Sequence, residues 1–168
     1  MKSIVNNQMI LVEAPYNKKG ILKNLMSLYL HDLSMYSDNL DISDNGLFIY
    51  DGFDMFWDKD GLTPLIIYYN DKIIGFILLT SSPYVPKEVD YCVHELFILR
   101  RYRKLGIGTL AINKVIEKYR GKYYIVQLVK NKPAVEFWKK YYKINSIKYI
   151  EKEIVEEGDK CITQYFSV

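Results

Sequence analysis

Residues 95 to 111 read Glu95-Leu-Phe-Ile-Leu-Arg-Arg-Tyr-Arg103-Lys-Leu-Gly106-Ile-Gly108-Thr-Leu-Ala111: an apolar run, a cationic run, two glycines and the start of an amphipathic stretch. Glycines just ahead of a helix let main-chain N–H groups turn toward one point, and the helix N-terminus adds roughly half a positive charge there. Such a place binds a phosphate. Four cations among Arg100 to Lys104 can add charge-assisted hydrogen bonds of about 1.5–3 kcal/mol each, so the expected ligand is a polyanion. Upstream, strand alternation puts Glu95 on one face with Tyr91, Val93, Phe97 and Leu99, where apolar company raises a carboxyl pKa toward neutrality. Such a group reads either as a base or as a structural carboxylate paired with a Lys or Arg. His94 falls on the opposite face with Cys92, Leu96 and Ile98 and reads as a hydrogen-bonded core histidine.

Gly106-x-Gly108-x-x-Ala111 also satisfies the dinucleotide-binding pattern. Against that reading, five mostly cationic residues separate the glycines from the apolar run, and Gln127-Leu-Val-Lys130 lies where a ribose-binding acid is due. Only 60 residues follow Gly108, too few for a second mononucleotide half. A nucleotide P-loop is excluded because no Gly-Lys-Ser/Thr follows.

The elements that must position this loop are legible by periodicity. A short strand near Ile10 to Glu13 precedes a helix from about Lys18 to Ser34, with Ile21, Leu25 and Leu28 as its stripe. Tyr36 to Gly61 is acidic loop with a short helical piece. Two apolar runs flank Asn70-Asp71, a hairpin signal. Tyr91 to Leu99 is apolar on both faces, as a central strand is. A helix from Gly108 to Tyr119 follows, with Leu110, Ala111, Val115 and Ile116 on one side. Tyr123 to Val129 reads as a strand, and Pro133 to Tyr142 as a helix with Ala134, Phe137, Trp138 and Tyr141 aligned. Two closing strands, Ile147 to Val155 and Cys161 to Val168, are joined through Glu156-Glu157-Gly158-Asp159. The order is β-α-β-β-β-α-β-α-β-β.

At 168 residues and 19.9 kDa, with 49% hydrophobic and 26% charged residues, the chain has the size and composition of one soluble globular domain. Cys92 and Cys161 share no metal-site or disulfide spacing, which points to a reducing cytosol and no metal. No stretch reads as a secretory signal or a membrane span, since Asn70-Asp71-Lys72 interrupts the most apolar segment. Net charge is +3, too small to argue for nucleic acid, yet residues 31 to 60 carry eight aspartates against one lysine, leaving +10 elsewhere. That segment reads as a solvated loop or as a device that draws a cationic partner.

Arg103-x-x-Gly106-x-Gly108, after a strand and opening a helix, resembles the acetyl-CoA pyrophosphate loop of the GNAT superfamily of acyl-CoA N-acyltransferases. The strand Tyr123 to Val129 followed by Asn131-Lys-Pro-Ala134-Val-Glu-Phe137-Trp138 is similar to that family's second cofactor motif, 28 residues on. The resemblance implies an α/β (α+β) fold, a GNAT-like single domain over residues 1–168 with a central mixed, mostly antiparallel sheet and flanking helices. It implies acetyl-CoA as cosubstrate, its pyrophosphate held by the main-chain amides of Leu105, Gly106, Ile107, Gly108 and Thr109 with Arg103 and Lys104 nearby. Phe97 and Ile98 offer main-chain groups to the pantetheine arm, and Asn131 bonds that arm from the other side, a role compatible with capping a helix before Pro133. Phe137 and Trp138 fall on the cofactor side of this comparison, although spacing alone makes them core residues.

The implied reaction is direct acetyl transfer to a primary amine, with Glu95 as base, directly or through water, and a main-chain N–H beside Ile98 or Leu99 meeting the oxyanion. Many members carry a tyrosine seven residues after the motif asparagine to protonate the departing thiolate. Here that position is Trp138, an indole that cannot, while Tyr141 one turn on aligns with the apolar stripe. His31-Asp32 reads as a polar helix end or as an acceptor-orienting pair. Cys92, facing away from Glu95, is not expected to act covalently. Competing expectations are a non-catalytic acyl-CoA sensor and a protein N-terminal or aminoacyl-tRNA acetyltransferase. The acceptor is left unidentified, a homodimer is compatible with the sequence, and no nucleic-acid or membrane partner is expected.

Overall fold

A computed structural model of the protein describes residues 8–168. It contains β1 (Met9–Glu13), α1 (Lys19–Leu33), β2 (Leu62–Tyr69), β3 (Lys72–Ser81), β4 (Tyr91–Ile98), α2 (Ile107–Lys118), β5 (Lys122–Leu128), α3 (Lys132–Ile144), β6 (Tyr149–Glu156) and β7 (Asp159–Ser167). The element order is the expected one, and seven strands form one mixed, mostly antiparallel sheet in the order β1-β2-β3-β4-β5-β7-β6. Asn70 and Asp71 both take positive φ, 48° and 61°, the two-residue turn whose twist matches the strands it joins. Glu157 and Gly158 do the same between β6 and β7.

The sheet separates two apolar layers. On one side α2 and α3 pack over Ile77, Leu79, Val93 and Ile98, and on the other α1 covers Ile66, Phe76, Leu78 and Phe97. In α1 the buried stripe is Leu22, Met26 and Leu30, whereas Ile21 and Leu28 are 39% and 51% exposed. The stripe differs from the expected one because this helix is apolar over most of its circumference, so periodicity offers several equivalent faces and the sheet selects one. The α2 stripe shifts similarly, to Ile107, Ala111, Ile112 and Val115, and that of α3 to Val135, Trp138, Tyr141 and Tyr142.

Two irregularities in β4 decide what the sheet can present. Against β3, Leu79 pairs with Val93 but Leu78 pairs with Glu95, so His94 is an extra residue, a β-bulge. The bulge flips the alternation: Tyr91 and Val93 pack toward α2 and α3, while Glu95 and Phe97 face α1. The expected common face of Glu95 with Tyr91 and Val93 is thereby corrected. The second irregularity lies on the other edge, where β4 and β5, the one parallel pair, match only Tyr91 with Tyr123 and Cys92 with Tyr124. Beyond Cys92 the strands part. Opposite the opening, β3 and β4 approach so closely that a Cβ on Gly75 would lie 2.1 Å from the Phe97 carbonyl oxygen.

The turn leaving β4 is tied to α1. Asp32, in the last turn of that helix, accepts from Arg100 Nη2 at 2.5 Å and Nε at 3.1 Å, and from Arg103 Nη2 at 2.6 Å. An acid near a helix C-terminus opposes the helix dipole, and two guanidinium groups offset that cost. Burial works against ionisation of Asp32, but the hydrogen bonds from Arg100 and Arg103 outweigh it and hold the carboxyl below its ordinary value.

Two stability outcomes are expected. Gly75→Ala should cost about 3 kcal/mol in urea unfolding, because main chain rather than a side-chain tip must move. Asp32→Asn should cost about 1 kcal/mol at pH 7. Because Asp32's pKa is depressed by folding, that difference is present above about pH 4 and disappears as pH falls further, which unfolding midpoints at pH 3 and pH 7 check.

Candidate active site

The turn after β4 builds an anion cradle from main chain. Lys104 takes φ 61° and Gly106, the residue before α2, takes φ 81°. Among the described residues, no partner is found for the main-chain N–H groups from Lys104 to Thr109. The two glycines serve different ends. A Cβ on Gly106 would meet nothing within 4 Å, so that position needs glycine for its left-handed backbone and leaves the space before the helix clear. At Gly108 a Cβ would lie 3.1 Å from the Phe137 ring, so there glycine admits close packing of α2 against α3.

Around the cradle, Lys104 and Leu105 are exposed, Ile107 is fully buried beneath the helix start, and Thr109 is half-buried. Arg103 is committed elsewhere: besides Asp32 it donates from Nε to the Ile98 carbonyl at 2.6 Å, with its guanidinium over the Phe97 ring. The Ile98 carbonyl is therefore occupied, and the Phe97 carbonyl is turned toward Gly75 in β3. Across the opening, Asn131 caps α3 by accepting from Ala134 N at 3.3 Å, and its Nδ2 has no hydrogen-bond partner among the described residues. Phe137 is half-buried against Gly108, whereas Trp138 is 5% exposed and packs on Tyr142 and Phe166 as a core residue. Tyr141 is equally buried. Its hydroxyl donates to Asn113 Oδ1 at 2.7 Å, and burial pushes its pKa up to about 12, so it is not available as an acid.

Glu95 lies three residues past the last β4–β5 pair, on the α1 side, and accepts a hydrogen bond from the Tyr29 hydroxyl of α1. Tyr50, from the acidic loop, lies beside the same carboxylate. Burial pushes the Glu95 pKa up, while His94 and the two tyrosine hydroxyls pull the other way. Burial together with the Glu95 charge drives both tyrosine pKa values far above the ordinary range, so both remain hydrogen-bond donors. The sequence expectation of a carboxylate in apolar company misses these two partners. Tyr29 belongs to the apolar stripe pattern of α1, and Tyr50 sits in a loop without periodicity, so neither carried a signal.

His94 is not the core residue that alternation suggests. Displaced by the bulge, it is exposed and its ring meets the edge of Tyr50 at 6.4 Å. Cys92 is corrected too: it pairs with Thr80, two residues from Leu78 on β3, and so shares the face of Glu95 rather than the opposite one. It remains unsuited to nucleophilic work, since burial and the Glu95 charge push its thiol pKa up.

The acidic segment is partly compensated by the chain's own cations. Asp32 holds Arg100 and Arg103, Asp54 meets Lys19 at 2.9 Å, and Lys130 lies 3.9 Å from Asp38. Asp58 and Asp60 line a separate hollow of about 350 Å³ with Glu13 and Trp57, at the β1–β2 edge and two strands from β4. His31 is exposed at the end of α1, its ring against Phe48, and Asp32 is fully engaged, so the two do not form a pair directed at Glu95. Among the described residues, no group of three or more His, Cys, Asp or Glu could hold a metal ion, and no helix is long and apolar enough to cross a membrane.

Known proteins share this fold. A model of the acetyltransferase (GNAT) family matches residues 33–142. Over 106 residues the chain is 36% identical to an uncharacterized N-acetyltransferase of Methanocaldococcus jannaschii, covering 59% of this chain and 43% of that protein. The chain thus spans less than half the length of that curated relative. An acetyltransferase of Thermus thermophilus superposes with a TM-score of 0.67 at 13% identity, over 96% of this chain and 97% of the other. A GNAT family acetyltransferase of Elizabethkingia anophelis, solved with acetyl-CoA bound, gives 0.60 at 16% identity over 96% and 99%. At such identities these structures speak for the fold, and it is the family match, running from the Asp32-anchored end of α1 through the cradle to Tyr142, that makes this chain a member of the GNAT acetyltransferase family.

Proposed function

We propose that the chain transfers the acetyl group of acetyl-CoA to a primary amine by direct attack, without a covalent enzyme intermediate. The observation that carries this reading is the opening between β4 and β5, with unpartnered N–H groups at one end and a half-buried carboxylate, Glu95, beside it. The residues present fit the cosubstrate. The main-chain amides of Leu105 to Thr109 would hold its pyrophosphate, with Lys104 alongside, and the Asn131 Nδ2 would donate to the pantetheine arm. The parted β4 main chain near Ile98 would supply the N–H that meets the oxyanion, the Leu99 N–H being already spent on the Ile74 carbonyl. Arg103, held by Asp32 and Ile98, would fix the turn rather than grip phosphate.

Freeing a lysine-like amine at pH 7 costs about 4–5 kcal/mol, which a base beside the acceptor offsets. Glu95 is that carboxylate, acting on the ammonium directly or through an intervening group. Trp138 and Tyr141 supply no acid, so the thiolate departs with a proton from the amide nitrogen or from water. Compensation of Asp32 and Asp54 weakens the case for a strongly cationic acceptor, and the amine's body instead faces Tyr50 and the loop around it. The two free, buried cysteines suit a reducing cytosol.

Calorimetry and steady-state kinetics test this reading. Gly106→Asp keeps a residue that tolerates positive φ but sets a carboxylate in the cradle, and should weaken acetyl-CoA binding by more than about tenfold. Glu95→Gln should lower turnover by about 10²-fold or more while acetyl-CoA affinity stays within about twofold. An unchanged turnover in Glu95→Gln would remove the carboxylate from the reaction.

A further inference from the structure

The β4 bulge exposes a titratable ring beside a carboxylate that is itself screened. Glu95 is turned inward and held by Tyr29 with Tyr50 beside it, whereas His94, the residue the bulge leaves without a partner on β3, is exposed and borders Tyr50. Bulges re-aim side chains next to active sites, and this one sets an imidazole outside, against the Tyr50 that lies beside Glu95. Other titratable groups near this corner do not compete for the task. The Tyr29 and Tyr50 hydroxyls remain protonated donors, and Cys92 is buried with Tyr124 beneath, within the field of Glu156 from β6.

We propose that His94 is a catalytic residue, the group that takes the proton from the acceptor's ammonium, with Glu95 behind it stabilising the imidazolium that forms. This rests on the acetyl-transfer reading and names the intervening group left open there. A neutral imidazole nitrogen accepts one proton from R–NH3+, and the freed lone pair forms the C–N bond to the thioester carbonyl carbon. As the carbonyl re-forms, the C–S bond breaks and its electron pair leaves on sulfur. The second nitrogen proton goes to the thiolate, and His94 returns its proton to water. Imidazole suits the step because a neutral ring nitrogen accepts a proton and gives it back to water readily.

The test uses the full chain, acetyl-CoA, and three acceptors: 2-phenylethylamine, spermidine and a short peptide with a free N-terminus. Acetyl-CoA affinity is measured by calorimetry and thiol release by absorbance. His94→Gln is expected to lower turnover about 100-fold with acetyl-CoA affinity within about twofold. Added imidazole is expected to restore part of the rate to His94→Ala and none to Glu95→Gln. A parent that transfers acetyl groups while His94→Gln keeps its rate within about threefold, or a His94→Ala that imidazole does not rescue, overturns the role of His94 and leaves the acetyl-transfer reading standing. A parent that binds acetyl-CoA but acetylates none of the three amines overturns the role of His94 as well. A parent that does not bind acetyl-CoA brings down both.

Discussion

Parallel strands β4 and β5 share only two residue pairs, and this shortfall organises the rest of the molecule. Main-chain N–H and C=O groups carry an obligation to be paired, and a strand that loses its neighbour in mid-sheet has groups to spare. On the far side of β4 the obligation is met by β3, at a contact close enough to demand glycine at position 75. On the near side it is open. The same is true of the first amides of α2, which by geometry have no intrahelical acceptor. Under the acetyl-transfer proposal an extended ligand with its own amides and a diphosphate would answer both, joining the cradle and the opening in one site rather than two.

The second organising feature is one extra residue. Without His94 as a bulge, Glu95 would face α2 and α3 in the deepest layer of the protein, with no donor from α1 to support it. With it, the carboxylate meets Tyr29 and Tyr50, and a ring that alternation consigns to the interior is set outside. The Asp32 clamp then links the helix that supplies Tyr29 to the turn that forms the cradle, so Glu95's partner and the cradle share one anchor on α1.

Most of the architecture was legible in the residues. Element order, both hairpin turns and the glycine-opened helix α2 come from local chemistry: Asn70-Asp71 tolerate positive φ, Gly106 needs it, and apolar runs of strand length are bounded by turn residues. The asparagine that caps α3 was legible for the same reason. What was not legible depends on partners remote in sequence. The face of α1 is selected by the sheet from a helix apolar nearly all round. The bulge is set by register against β3, and nothing in Val93-His94-Glu95 announces it. Arg103 looked like a phosphate ligand because its captor, Asp32, lies 71 positions earlier.

The loop between α1 and β2 is fastened to the rest of the protein near its start, where Ser37 and Asn39 bind Asp159, and close to its end, where the Trp57 indole donates to Ala14. Between those rivets it gives Tyr50 to Glu95 and leaves Ile42, Leu47 and Ile49 in solvent. Its middle can therefore be lengthened or recast without disturbing the parting of β4 and β5 or the turn ahead of α2, since neither is tied to it.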